Sequence, residues 1–314
     1  CIDYFFLTLL LILELLQGYN PNPDHKSAKF YSVIINKGDT LTVVTNKLHD
    51  SGLIKNKEFF KFFAKLHNFE KSIKSGSYNI SNSLSIKEIL NKLNLGKVVQ
   101  NRITIPEGMT NVMVFKILLS NELLSGDLKF SDLPKEGYLA PDTYFYEDGE
   151  ERIALLSRIQ KLQLKRIYKI WNNIEKNDTL NSSHELVILA SIIEKESGNY
   201  DELNLISSVL HNRLRKKMRL QADPTVIYGI MRGEKLSRSL NKSDLRINSI
   251  YNTYIINGLP PNPICNPGEA ALIAAANPAI SKFYYYVSNG KGGHFFSKNL
   301  EEHNKNVRLY RSQK

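Results

Sequence analysis

Glu194 and Glu196 close the stretch Leu186 to Gly198, LVILASIIEKESG, and a carboxyl ending so apolar a run has acid chemistry open to it. A glutamate that follows the buried side of a helix loses water and lies at the negative end of the helix dipole. Both effects favour its neutral form and raise its pKa, which suits a general acid near neutral pH. The competing reading is a glutamate at a fraying helix end, turned to solvent or to Lys195. Ser197 as a hydrolase nucleophile is the weaker idea, because the strand-to-helix glycine elbow that activates such a serine is missing.

The element that must position this carboxyl starts at Ser182, which can cap a free amide while Glu185, three residues on, reaches back. Gly198 supplies a stop. At helical spacing Leu189, Ile192, Ile193 and Glu196 share a stripe, and Glu194 is rotated by roughly 200° from Glu196. The geometry therefore assigns Glu196 to the apolar side and Glu194 to the helix surface.

Other polar groups gather in turn-rich strings. Glu136-Gly137-Tyr138-Leu139-Ala140-Pro141-Asp142-Thr143-Tyr144 reads as a loop. There Glu136 and Asp142 are candidate sugar or peptide contacts, although Asp142 could equally make a local turn bond. Asp223 with Pro224 signals a helix N-cap and first turn; with Gln221 it also offers groups that recognise acetamido sugars. Asn252 and Tyr254, in YNTY, precede the rigid loop Gly258-Leu259-Pro260-Pro261-Asn262-Pro263, which suits a cleft wall. His294 follows the glycine run of a hairpin and reads first as a structural histidine at a strand end. That run is no phosphate loop, because no helix follows Lys291 in the required arrangement.

A chain of 314 residues can bury a large core and would ordinarily form two domains. Its net charge of +11 implies attraction to polyanions, whether nucleic acid, anionic lipid or a carboxylate-bearing polymer. Lysines are spread throughout, so most of that charge reads as solvated surface. The two cysteines, Cys1 and Cys265, do not form a disulfide framework, and no metal cluster is visible. Tyr4 to Leu16 is apolar apart from Thr8 and Glu14, short of the roughly 20 residues a spanning helix needs. It reads as an uncleaved anchor in a chain whose N-terminus is incomplete. Tyr19 to Lys29 then reads as a linker.

The strings EKESG, HNRL, LQADPTVIYG, YNTY, NGLPPNPICNPG and GKGGHFF follow one another in fixed order. On these motifs the chain resembles the YceG-like endolytic murein transglycosylases, membrane-anchored enzymes that cut peptidoglycan glycan strands. The resemblance runs from about residue 30 to the C-terminus and is densest from Glu136 onward. It implies an α+β protein with an N-terminal anchor (1–18), a linker (19–29), a small LysM-like domain (30–100) and a mainly helical catalytic domain with short strands (101–314). It also implies single-pass insertion in the inner membrane, with the catalytic domain on the periplasmic side. The family's catalytic glutamate matches Glu196. Its chemistry would cleave the β-1,4 bond between N-acetylmuramic acid and N-acetylglucosamine, leaving 1,6-anhydro ends without cofactor or metal. Glycan strands, the inner membrane and the peptidoglycan synthases are the implied partners. A non-catalytic glycan-binding scaffold would leave the strings from Glu136 to His294 unexplained. A nucleic-acid binder would lack any recognisable module.

Overall fold

The computed structural model describes residues 29–36, 38–69, 72–96, 100–174 and 179–312. The anchor segment Tyr4 to Leu16 and nearly all of the linker lie outside the described residues. Among the described residues no helix is long and apolar enough to cross a membrane. The chain divides into two compact units. One holds the described residues up to Arg102 with Phe145–Gly149; the other holds Ile103–Tyr144 with Glu150–Lys314.

The first unit comprises β1 (Phe30–Ile35), α1 (Leu41–Asp50), α2 (Lys57–Leu66), β2 (Gly76–Ser81) and α3 (Ile86–Leu95). Alternation along β1 sends Val33 and Ile35 inward, and the strand pairs antiparallel with β2 so that Val33 lies opposite Tyr78. The helix starts are written into the sequence: Asn56 Oδ1 accepts from the Phe59 amide, and Ser85 with Glu88 completes a capping box. Phe60, Phe63, Leu48, Ile89, Leu93 and Tyr78 fill the core behind these elements. The fully buried Tyr78 donates its hydroxyl to the Lys74 carbonyl, 2.7 Å away, so its polar end is satisfied.

The second unit continues through β3 (Asn101–Ile105), α4 (Asn111–Ser120), β4 (Asp142–Tyr146), α5 (Arg152–Asn172), α6 (Ser183–Glu196), α7 (Leu203–Arg215), α8 (Asp223–Met231), α9 (Glu269–Ala276), β5 (Tyr285–Ser288), β6 (His294–Ser297) and α10 (Leu300–Ser312). Strands β3 and β4 pair with each other, and the division of the chain runs through both. β4 corrects the reading of residues 136–144 as loop throughout. From Thr143 the residues favour a strand, and Tyr144 and Tyr146 turn inward while Thr143 and Phe145 face out. Helices and short antiparallel strands thus make an α+β protein.

The core of this unit is built around α6, in which every residue from Leu186 to Ile193 is buried. α9 packs against it more extensively than any other helix does, and Ala271, Ala274 and Ala275 allow the close approach. That helix starts at Glu269, and the preceding Asn266 is drawn into the interior. Its amide donates to Met109 O and Asn111 Oδ1, and its Oδ1 accepts from the Leu139 amide at 2.9 Å. After α6 the chain makes a tight 3₁₀ turn at Tyr200–Glu202 before entering α7. β5 and β6 form the hairpin whose register pairs Ser288 with His294.

Candidate active site

Helix α6 begins as the sequence indicates, with Ser182 Oγ accepting from the Glu185 amide. Glu185 does not reach back to Ser182, however; its carboxylate takes the Asn181 amide at 2.7 Å. The helix ends on Glu196 because Ser197 adopts an extended φ of −138°, and Gly198 does not supply a left-handed stop. The Ser197 hydroxyl accepts the Asn199 amide at 2.9 Å, a local bond that suits a turn.

The apolar stripe turns out not to distinguish the two glutamates, since α6 is enclosed on all its faces. Glu194, assigned above to the helix surface, is largely buried: its carboxylate accepts the Gly268 amide at 2.9 Å, at the start of α9. Burial raises its pKa, and the Gly268 bond opposes the rise. Such a carboxylate at a helix N-terminus also stabilises the helix dipole. What separates Glu196 from Glu194 is a cavity.

This cavity, of about 550 Å³, is lined by Glu196, Asp223, Tyr254, Tyr286, Arg213 and His294 among others. Although one face of Glu196 is open to it, the surrounding protein desolvates the carboxyl and pushes its pKa up to about 7. The negative charge of Asp223 adds to the rise. A hydrogen bond from the Tyr286 hydroxyl and the positive charge of Arg213 pull the other way. Arg213 is fixed by backbone carbonyls, donating to Tyr284 O at 2.6 Å and Leu220 O at 2.8 Å, and its guanidinium lies 5.1 Å from the Tyr285 ring centre. A nearly immobile cation therefore stands where it can stabilise the carboxylate form of Glu196.

The structure gathers four of the seven residues singled out in the sequence: Glu196, Gln221, Asp223 and Tyr254. Asp223 is the first residue of α8 and does not cap it; Ala222 holds the cap position. The Asp223 carboxylate instead accepts the Tyr254 hydroxyl at 2.6 Å. Gln221 takes a left-handed φ of 50°, and its Oε1 receives a long bond of 3.4 Å from Arg213.

The other three lie elsewhere. Asn252 is fully buried, its amide donating to Ile247 O at 2.8 Å and its Oδ1 accepting the Tyr254 amide, so it holds the loop that presents Tyr254. Glu136 is tied to the Asn111 amide at 2.8 Å and the Tyr228 hydroxyl at 3.1 Å, and burial pushes its pKa up to about 7. Asp142 pairs with Arg166 at 2.7 Å. None of these three lines the cavity.

Three groups had escaped the sequence reading. Arg213 continues the buried Ile206, Val209, Leu210 side of α7 one turn further, and a charged residue on such a stripe is a legible signal. Tyr286 stands in the run Tyr284-Tyr285-Tyr286, where no local pattern says which ring meets the acid. Glu202 lies in the 3₁₀ turn and bonds His294 Nδ1 at 2.8 Å, a pairing of residues 92 apart.

The model of the YceG-like family matches residues 33–309. The chain is 30% identical to the endolytic murein transglycosylase of Bacillus subtilis, covering 90% of this chain and 85% of that protein. It is 28% identical to the endolytic murein transglycosylase of Streptococcus pneumoniae serotype 2, covering 90% of this chain but only 59% of that longer protein. A crystal structure of a YceG-like protein from Listeria monocytogenes superposes with a TM-score of 0.56 at 32% identity, over 89% of this chain and 99% of that one.

Proposed function

Because the chain belongs to the YceG-like family, we propose that it is an endolytic peptidoglycan lytic transglycosylase with Glu196 as its acid. The carrying observation is the Glu196 carboxyl, held at the cavity wall with a pKa of about 7, so that at neutral pH both proton-giving and proton-taking forms are populated.

Breaking a β-1,4 glycosidic bond requires a proton on the leaving oxygen and stabilisation of the positive charge that grows on the sugar. Protonated Glu196 supplies the first. The C6 hydroxyl of the same N-acetylmuramic acid then closes on C1, and its proton returns to the Glu196 carboxylate, leaving a 1,6-anhydro end. The nucleophile is already attached to the sugar, so proximity replaces an activated water. Tyr286 and Arg213 favour the carboxylate that exists between the two transfers.

Asp223 in the same cavity favours one second reading, a hydrolase in which this carboxylate directs water. Digestion of purified glycan strands in ¹⁸O-water separates the two by product mass. Unlabelled 1,6-anhydro ends support the transglycosylase; labelled reducing ends select the hydrolase, and uncut strands that still bind the protein select a glycan-binding scaffold. The apolar segment Tyr4 to Leu16 supports a single-pass inner-membrane anchor with the catalytic unit in the periplasm. The strand-helix-helix-strand order of the first unit supports a LysM-like module. A synthase partner fits an enzyme that trims nascent strands.

A further inference from the structure

The cavity holds a second acid-base pair that the single-acid scheme leaves without a task. Glu202 grips His294 twice: one carboxylate oxygen accepts the His294 amide at 3.1 Å, and the other faces ring Nδ1 at 2.8 Å. Both side chains are mostly buried, and the Tyr286 ring stands edge-on to the imidazole with centres 5.5 Å apart. The same Tyr286 bonds Glu196. Glu202 lies six positions after Glu196, so one short segment carries the acid and the group that orients the histidine.

A carboxylate can only accept, so the ring proton of neutral His294 sits on Nδ1 and Nε2 presents a lone pair. Among the described residues nothing bonds Nε2, and His294 lines the cavity. Asp223 Oδ1, Gln221 Oε1 and Ser288 Oγ in the same cavity are already engaged, by Tyr254, Arg213 and the Gly290 amide respectively. A sugar hydroxyl entering the cavity therefore meets a free acceptor backed by a carboxylate, the arrangement that activates hydroxyl nucleophiles in hydrolytic triads.

We propose that His294, oriented by Glu202, contacts the glycan and accepts the proton of the attacking sugar hydroxyl while Glu196 serves the leaving oxygen. This rests on the transglycosylase reading above. The hydroxyl oxygen bonds to C1 as the bond from C1 to the leaving oxygen breaks. Glu196 protonates that oxygen, the hydroxyl proton moves to Nε2, and it then returns to the Glu196 carboxylate. His294 is the catalytic residue of the pair and Glu202 its positioning residue.

Glu202→Gln is the sharpest test, because its amide oxygen can still take the His294 N–H while its NH₂ donates to Nδ1. That inverts the ring tautomer and turns Nε2 from acceptor to donor. On purified glycan strands the full chain carrying Glu202→Gln or His294→Ala should lose about 10²-fold in kcat with KM within about twofold. The melting temperature of Glu202→Gln should be unchanged, and added imidazole should raise the His294→Ala rate. Undiminished kcat in both variants overturns the proposal, as does a loss confined to KM without imidazole rescue. A larger kcat loss in His303→Ala than in His294→Ala also overturns it, moving the role to the other cavity histidine. An unmodified chain that leaves strands intact overturns the transglycosylase reading itself; cutting by the unmodified chain with unaffected variants overturns only the role of His294.

Discussion

At the residue scale, the environment of Glu196 fixes a pH dependence with a definite sign. Its pKa is raised to about 7 by burial and by Asp223, and it must be protonated to act, so kcat/KM should fall as pH rises through that value. Asp223→Asn removes the neighbouring negative charge and should lower the Glu196 pKa, moving the alkaline limb to lower pH. A pH profile of strand cleavage reads this directly; an unmoved limb would show that Asp223 does not act on the acid. The sequence carried the acidic motif and three of its cavity neighbours, Gln221, Asp223 and Tyr254, because uncommon strings hold them together. It did not carry Tyr286 or Glu202, whose partners lie far away in the chain. It also suggested substrate contacts for Asn252 and Glu136, whose polar groups are bonded within the protein.

At the scale of the elements, capping was legible at Ser182, whose hydroxyl takes the Glu185 amide, but the return bond from Glu185 was not, because Asn181 offers that carboxylate a nearer amide. The apolar stripe of α6 was less informative, since a helix enclosed on every side has no outward face to read. Asn266, just before α9, links Met109, Asn111 and Leu139, a role set by tertiary contacts that no local pattern announces. Glu136 closes this network at the first residue of α4 and bears on stability. Its pKa of about 7 exceeds the usual 4.5, so the folded chain binds its proton more tightly than the unfolded chain. The stabilisation it contributes is full below about pH 4.5 and is lost as pH rises through about 7. Glu136→Gln should therefore shrink the drop in melting temperature between pH 5 and pH 8, two assay points on the order of the window these pKa values define. A drop of unchanged size would place the titrating group elsewhere.

At the scale of the whole molecule, the proposed acid and every group around it belong to the second unit, which predicts that the chemistry survives loss of the first. A fragment beginning at residue 101 should still cut soluble glycan strands. It should melt at a lower temperature than the full chain, because Phe145–Gly149 belong to the first unit and the buried Tyr146 would lose its cover. A folded fragment without activity would show that the first unit takes part in the chemistry. The functional reading of the entire chain comes down to one carboxyl, and the most direct measurement is turnover of purified glycan strands by Glu196→Gln beside Glu194→Gln. Glu196→Gln keeps the shape and removes the proton, so turnover should fall by about 10²- to 10⁴-fold. Glu194→Gln, whose amide oxygen can still accept the Gly268 amide, should fall far less. Full activity in Glu196→Gln, or an equal loss in both variants, would contradict the assignment of the acid to Glu196.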